Sequence, residues 1–369
     1  MLFARPIAYM TQRYISKQQK AASHPFVLIH LQSSHLFFNM SITTETLVLP
    51  RPGQERVEEK PPIPGPTESA FTDTFGALLP PAKYLYTANG RAAYYEILPT
   101  APGNGFTTLD RVLLIHGVQT PALGLFPLVR ALQKVFPQTH FVLFDHWGHG
   151  LSDTPYRPHD QRLFHGLIDA LLDQLNWPTV HLIGYSFGGA LSPAYVAAHS
   201  AKVKSFILVA PAGLMRLSDL SPEEQGHMRG DGNETAAQEW VHSWLEGGKL
   251  VVPGDWEERV AEGQVVAPAV KRWQLQKHAG HAASVVGIFR DGGVFNNHDA
   301  FSEASRTGIP SLAILGELDD IVNEQTLRDV GITNVEVVSG AGHGVVRDNV
   351  PEVATAITAF WHQISPDGK

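Results

Sequence analysis

The sequence predicts an α/β architecture: a mostly parallel sheet covered by helices on both faces. Two observations carry this. Short, continuous apolar runs alternate with longer runs of helical spacing, as in strands buried on both sides and the helices that cover them. Gly184-Tyr185-Ser186-Phe187-Gly188 then stands between a β-branched apolar run, Val180-His181-Leu182-Ile183, and a small-residue helical run, Gly189-Ala190-Leu191. The bulk composition agrees. Of 369 residues, 43% are hydrophobic and 17% charged, enough for one large α/β domain with an insertion or for two small domains.

In chain order, Lys83–Tyr86 and Ala92–Ile97 read as strands flanking the turn at Ala88-Asn89-Gly90. Arg111–Ile115 is a short buried strand. Leu123–Phe136 has helical spacing, with Leu125, Leu128, Leu132 and Val135 on one face. His140–Phe144 is the next strand and Asp160–Leu175 the next helix. The strand before Ser186, Phe206–Val209, Ser311–Leu315 and Val335–Val338 complete the sheet, and the last helix spans about Pro351–Trp361. Residues from about 216 to 300 break the rhythm. They are long, polar and helix-like, with Trp240, Trp244, Trp256 and Trp273. An insertion of this length between two strands is expected to cap the strand ends, where ligands of open α/β sheets bind. The alternative is a peripheral helical subdomain.

The N-terminal side reads differently. Residues 1–44 contain Arg5, Arg13, Lys17 and Lys20 and no acid, the composition of a mitochondrial transit peptide. The competing reading is an artefactual or disordered tail, with translation starting at Met40 and a cytoplasmic protein. Residues 50–66 hold Pro50, Pro52, Pro61, Pro62, Pro64 and Pro66 and read as an extended linker. Residues 1–69 are thus expected to be tail and linker, and residues 70–369 the folded domain.

Several classes are disfavoured. A net charge of −8 argues against nucleic acid as the main partner. The absence of cysteine excludes disulfides, thiolate catalysis and cysteine-ligated metals. No run of about 18 apolar residues exists to span a bilayer.

The residues around Ser186 point to nucleophilic chemistry. A sharp strand-to-helix turn strains the serine backbone, exposes its hydroxyl and aims the N–H groups of the new helix at the same spot. The base is expected at His343, within Gly340-Ala341-Gly342-His343-Gly344 between the last strand and last helix. Its orienting acid is expected at Asp319, just past the strand Ala313-Ile314-Leu315, with Asp320 as fallback and Glu317 a neighbouring surface charge. His116-Gly117-Val118 ends an earlier strand, so the backbone N–H groups of Val118 and Phe187 are the expected oxyanion donors.

From about residue 80 to 363 the chain resembles the α/β-hydrolase fold, in the variety with a serine nucleophile, a Ser-Asp-His order and a cap. The resemblance rests on His116-Gly117, Asp145-His146-Trp147-Gly148-His149-Gly150-Leu151-Ser152-Asp153, the turn at Ser186, Gly316-Glu317-Leu318-Asp319 and Gly342-His343. It implies no cofactor and no metal, and a small-molecule ester or related acyl substrate. Serine at the turn argues against the epoxide hydrolases and haloalkane dehalogenases of the family, which use a carboxylate. Hydrolysis of a carboxylic ester is the leading expectation. Cleavage of a carbon–carbon bond in a diketone-type substrate, thioester hydrolysis and acyl transfer are alternatives, as is a non-hydrolytic receptor on the same fold. A membrane-anchored lipid enzyme would need residues 1–44 to enter bilayers. The chain departs from the family at His146, where arginine is usual, and at Pro193, expected to kink the helix after the turn. His149 is read as structural.

Overall fold

The computed structural model describes residues 46–54, 60–101 and 109–365. The expectations for residues 1–44 lie outside them. Eight strands and thirteen α-helices occur among the described residues. They run α1 (Glu68–Phe75), β1 (Lys83–Thr87), β2 (Gly90–Ile97), β3 (Arg111–Ile115), α2 (Phe126–Val135), β4 (His140–Phe144), α3 (Gln161–Gln174), β5 (Val180–Tyr185), α4 (Phe187–Ala198) and β6 (Val203–Val209). Six helices follow: α5 (Pro222–Arg229), α6 (Glu234–Glu246), α7 (Trp256–Ala261), α8 (Ala267–Lys277), α9 (His281–Asp291) and α10 (His298–Arg306). The chain returns through β7 (Ser311–Gly316), α11 (Glu324–Asp329), β8 (Val335–Val338), α12 (Val345–Asp348) and α13 (Val350–Ile364).

The strands form one sheet in the order β1-β2-β4-β3-β5-β6-β7-β8. β2 pairs antiparallel with β1 and β4, and every other pairing is parallel. The two-residue period of a strand divides the core. Leu113, Ile115, Leu182, Leu208 and Leu315 face α3 and α4, with Phe164, Ile168, Leu191 and Tyr195. Val112, Leu114, Ile183, Ile207 and Ile314 face α2 and α13, with Leu128, Leu132, Ile357 and Trp361. Each such side chain contributes about 1.5–3 kcal/mol through burial. Pro193 lies inside α4, which continues through it to Ala198.

The segment expected as a linker packs on the body. Leu49 is buried, Arg51 pairs with Asp291, and Ile63 bridges to Thr154. Gly65 donates its N–H to Asp153. A helix also starts at Glu68, N-capped by Thr67, and buries Phe71 and Phe75. Ordered structure therefore begins well before residue 70. Proline fixes an extended backbone but says nothing about what that backbone lies against.

The helices α5 to α10 fall between β6 and β7. Three of them reach the carboxyl edge of the sheet. From α8, His278 bonds the Ser152 carbonyl through Nε2 (2.8 Å). From α9, His281 bonds the Gly148 carbonyl through Nδ1 (2.8 Å), and the Ser284 hydroxyl donates to the Trp147 carbonyl (3.0 Å). From α6, His242 meets the Gln119 side chain at 2.9 Å. No helix among the described residues is long and apolar enough to cross a membrane.

Candidate active site

Ser186 follows the last residue of β5 and caps α4 with φ 52° and ψ −112°. This is a left-handed conformation that costs a non-glycine residue of order 1–3 kcal/mol. The neighbourhood holds it there. Its N–H donates to the Val209 carbonyl (3.0 Å), and its carbonyl accepts from Ala190 and Ala212. Gly188 permits the turn, because a Cβ at that position would collide with the Ile115 carbonyl oxygen. Strand β3 can therefore lie directly against the start of α4. Ser186 is 8% exposed.

His343 stands in the loop between β8 and α12. Its Nε2 is 3.0 Å from Ser186 Oγ. Its Nδ1 lies 3.0 and 3.2 Å from the two carboxylate oxygens of Asp319. The Asp319 carboxylate is fully buried and also accepts the Ile321 N–H at 2.9 Å. The end of β7 and the histidine loop touch, since a Cβ on Gly316 would strike the Ala341 and Gly342 carbonyls. Tyr185, next to the serine, donates its hydroxyl to the His343 carbonyl (3.3 Å). The structure thus brings together Ser186, His343 and Asp319 from three separate loops. The other two carboxylates stay outside. Asp320 is exposed, and Glu317 accepts from Gly340 N–H and Ser339 Oγ. Those bonds hold the Glu317 carboxyl below its ordinary range.

Phe187 follows the serine in the chain, and Val118 follows Gly117, which packs against that serine. Gly117 packs so tightly that a Cβ there would come within 2.9 Å of the Ser186 Cβ. Neither the Val118 nor the Phe187 N–H donates to an acceptor among the described residues, so both are available to a ligand.

Buried, uncharged imidazoles adjoin the site, and the His146 ring lies 5.3 Å from that of Phe187. The His146 N–H donates to His116 Nε2 and His146 Nε2 returns a bond to the His116 carbonyl, each at 2.9 Å. This exchange fixes both tautomers: His116 carries its proton on Nδ1 and His146 on Nε2. Burial drives His146 and His281 down to about 3, and His116 and His149 well below the imidazole range. Asp145 accepts from Ala122 N–H, Leu151 N–H and the Tyr95 hydroxyl. Burial pushes its carboxyl up to about 6. His149 bonds the Trp147 carbonyl and stacks edge-on with His281.

Sequence reasoning did not find Tyr185, Gln119 or Gln274 as parts of this site. Tyr185 sits within the Gly-x-Ser-x-Gly run and was the easiest to notice. Gln274 carried no signal, because its partners lie more than a hundred residues away. The aromatic residues of the insertion divide. Phe289 is buried core, whereas Trp240 and Trp244 are only partly buried. A cleft of about 290 Å³ opens between α6 and α8, lined by Gln119, His242, Glu246, Leu250 and Leu275. Among the described residues no group of three or more His, Asp or Glu could hold a metal ion.

A family model described as the alpha/beta hydrolase fold matches residues 110–247. A Bacillus subtilis (strain 168) protein, provisionally named 2-succinyl-6-hydroxy-2,4-cyclohexadiene-1-carboxylate synthase, is 24% identical over 228 residues, covering 58% of this chain and 78% of that one. Monoacylglycerol lipase abhd6-A of Xenopus laevis is 30% identical over 139 residues, covering 36% of this chain and about a third (35%) of the lipase. Among solved structures, the enol-lactonase of Burkholderia xenovorans LB400 superposes with a TM-score of 0.56 at 17% identity, covering 75% of this chain and 99% of that one.

Proposed function

We propose that this chain, an α/β-hydrolase-fold protein, is a serine hydrolase that cleaves a carboxylic ester of small or medium acyl length through an acyl-enzyme on Ser186. One observation carries the reading: Ser186 Oγ, His343 and the buried Asp319 form an unbroken hydrogen-bonded line. A serine hydroxyl is a weak nucleophile until a base removes its proton as it attacks, and His343 is at the distance that requires. In the first half-reaction Ser186 Oγ bonds to the ester carbonyl carbon and its proton passes to His343 Nε2. The carbonyl electrons move onto oxygen, where the Val118 and Phe187 N–H groups receive the charge. The tetrahedral species collapses, the C–O bond to the alcohol breaks, and His343 gives the alcohol its proton. Water then attacks the acyl carbon and gives its proton to His343. Ser186 leaves with that proton, and the carboxylic acid is released. Asp319 accepts from Nδ1–H throughout, which fixes the tautomer and favours the transient imidazolium.

The helices α5 to α10 act in this reading as a cap, and Val118, Met215, Trp240 and Trp244 supply an apolar wall for the acyl group. The lipase and the lactonase named above are ester hydrolases by name, which agrees. A second reading has the same three residues hydrolyse a carbon–carbon bond of a diketone-type substrate. The test is steady-state hydrolysis of an acyl-length series of activated esters by the wild type and by Ser186→Ala. Turnover that falls at least about 10³-fold in the variant supports the ester reading. A folded wild type that turns over no ester, yet cleaves a vinylogous diketone, would replace it with the second.

A further inference from the structure

The segment His116–Thr120 carries one of the two oxyanion donors, and all four of its first carbonyls have partners. The His116 carbonyl takes His146 Nε2–H, the Gly117 carbonyl takes His116 Nδ1–H, and the Val118 carbonyl takes the Thr120 N–H. Those three partners come from the sheet and its own loops. The fourth does not. The Gln119 carbonyl accepts from Nε2 of Gln274, a residue of α8 in the inserted helices.

Gln274 is completely buried, and both ends of its amide are committed. While Nε2 holds Gln119, Oε1 accepts the Gly150 N–H at 2.8 Å. Gly150 belongs to the loop whose His146 ring supports the His116 carbonyl. One side chain from the insertion therefore ties together the two loops that set the position of the Val118 N–H. The tether sits where it matters mechanically. Gln119 has φ +62°, a conformation a non-glycine residue holds only when its surroundings impose it. Its side chain is held by the insertion as well, through His242 on α6. Free of these bonds, Gln119 would relax to negative φ and turn the peptide that adjoins the Val118 donor.

We propose that Gln274 is a positioning residue for the oxyanion site, so that seating of the inserted helices on the sheet sets the geometry of the Val118 N–H. The inference rests on the serine-hydrolase reading above. It makes the insertion part of the machinery rather than a cover. An oxyanion donor works only within about 2.7–3.1 Å of the developing charge, and a displacement of about 1 Å costs roughly 100-fold in rate.

The test uses the full-length protein and compares wild type, Gln274→Met, Gln274→Glu and Ser284→Ala. Ser284→Ala is the control, since it removes an insertion-to-core bond that does not touch Gln119. With an ester that the wild type cleaves, kcat of Gln274→Met is expected to fall roughly 10–100-fold while KM changes less than about twofold. Affinity for a trifluoromethyl ketone, whose Ser186 adduct places an oxyanion in the site, should fall by the same factor. Ser284→Ala should keep wild-type values. Gln274→Glu provides a second reading if the methionine variant does not fold. Its ionised carboxylate repels the Gln119 carbonyl, while its protonated form can donate to it. Activity relative to wild type should then recover as pH falls, which a purely structural role would not produce. Unchanged kcat, an equal loss in Ser284→Ala, or a pH-independent deficit in Gln274→Glu would each overturn the proposal. Failure of the underlying reading shows separately, as absence of Ser186-dependent turnover in the wild type before any Gln274 variant is compared.

Discussion

Acidification from pH 7 to pH 5 should destabilise this fold far more than it destabilises one with exposed histidines. The cause is the set of uncharged imidazoles beside the site. Burial lowers His146 and His281 to about 3 and His159 to about 4, against 6.5 for each in the unfolded chain. Between those values the unfolded state binds the proton and the folded state does not, so stability falls as pH drops through 6.5 toward 3. At pH 5 each of the three has given up about 2 kcal/mol, at about 1.4 kcal/mol per pH unit. Asp145 opposes them. Its carboxyl, raised to about 6, takes up a proton in the folded state before it would in the unfolded one, which returns about 1 kcal/mol over the same interval. These four groups together cost about 5 kcal/mol, a large part of a typical 5–15 kcal/mol, and His116, His149, His165 and His242, all lowered by burial, add to the loss. With an unfolding entropy of about 2.1 cal/mol/K per residue over roughly 300 ordered residues, Tm should fall by at least about 8 °C.

Thermal unfolding of the wild type and of His281→Asn at pH 7 and pH 5 measures this. Asparagine can still donate to the Gly148 carbonyl, so the loop contact survives while the titrating group is gone. The wild type should lose at least about 8 °C and the variant about 3 °C less. Equal wild-type Tm values at the two pH values would refute the reasoning. So would a variant that keeps the full drop, because the titration would then belong elsewhere.

Two further outcomes follow from single contacts. Asp319→Asn should lower kcat about 10³–10⁴-fold at nearly constant KM, because an amide can hold the wrong tautomer of His343; steady-state kinetics on the ester chosen above reads it. Arg51→Met should lower Tm by roughly 2–5 °C, since it deletes a two-pronged bond to Asp291 and bonds to the Met228 and Arg229 carbonyls, while kcat and KM on a small ester stay within about twofold.

What could be read from the sequence followed from locality. The strand before Ser186 and the tight turn after it are set by consecutive residues, and β3, β4 and β7 appear within about one residue of their expected ends because buried parallel strands are continuous apolar runs. Asp319 and His343 were legible through their places after strands, since all strand ends of a parallel sheet open on one edge. Contacts made across long stretches of chain were not legible. Nothing in Leu47 to Arg51 announces that Leu49 is buried and Arg51 grips α9, and nothing in the polar face of α8 marks Gln274. His146 was noticed only as a departure from an arginine. Its reciprocal bonds with His116 explain the tolerance: a neutral ring of the right tautomer supplies the donor that the His116 carbonyl needs, with no charge to bury.

That choice of neutral groups constrains how the site can work. An arginine under the His116-Gly117 segment would place a permanent positive charge within a few ångströms of the oxyanion donors and favour the tetrahedral species by itself. In the serine-hydrolase reading, with His146 uncharged, little of that stabilisation would come from side-chain charge, and the burden would shift to the two backbone N–H groups. Backbone dipoles are weaker than a charge, so their aim matters more. The segment that carries one of them contains a strained residue, Gln119, and takes its last support from outside the sheet. A site that replaces a charge by aimed dipoles must hold the aim rigidly, and in the proposal above that rigidity comes from the seating of the helices between β6 and β7.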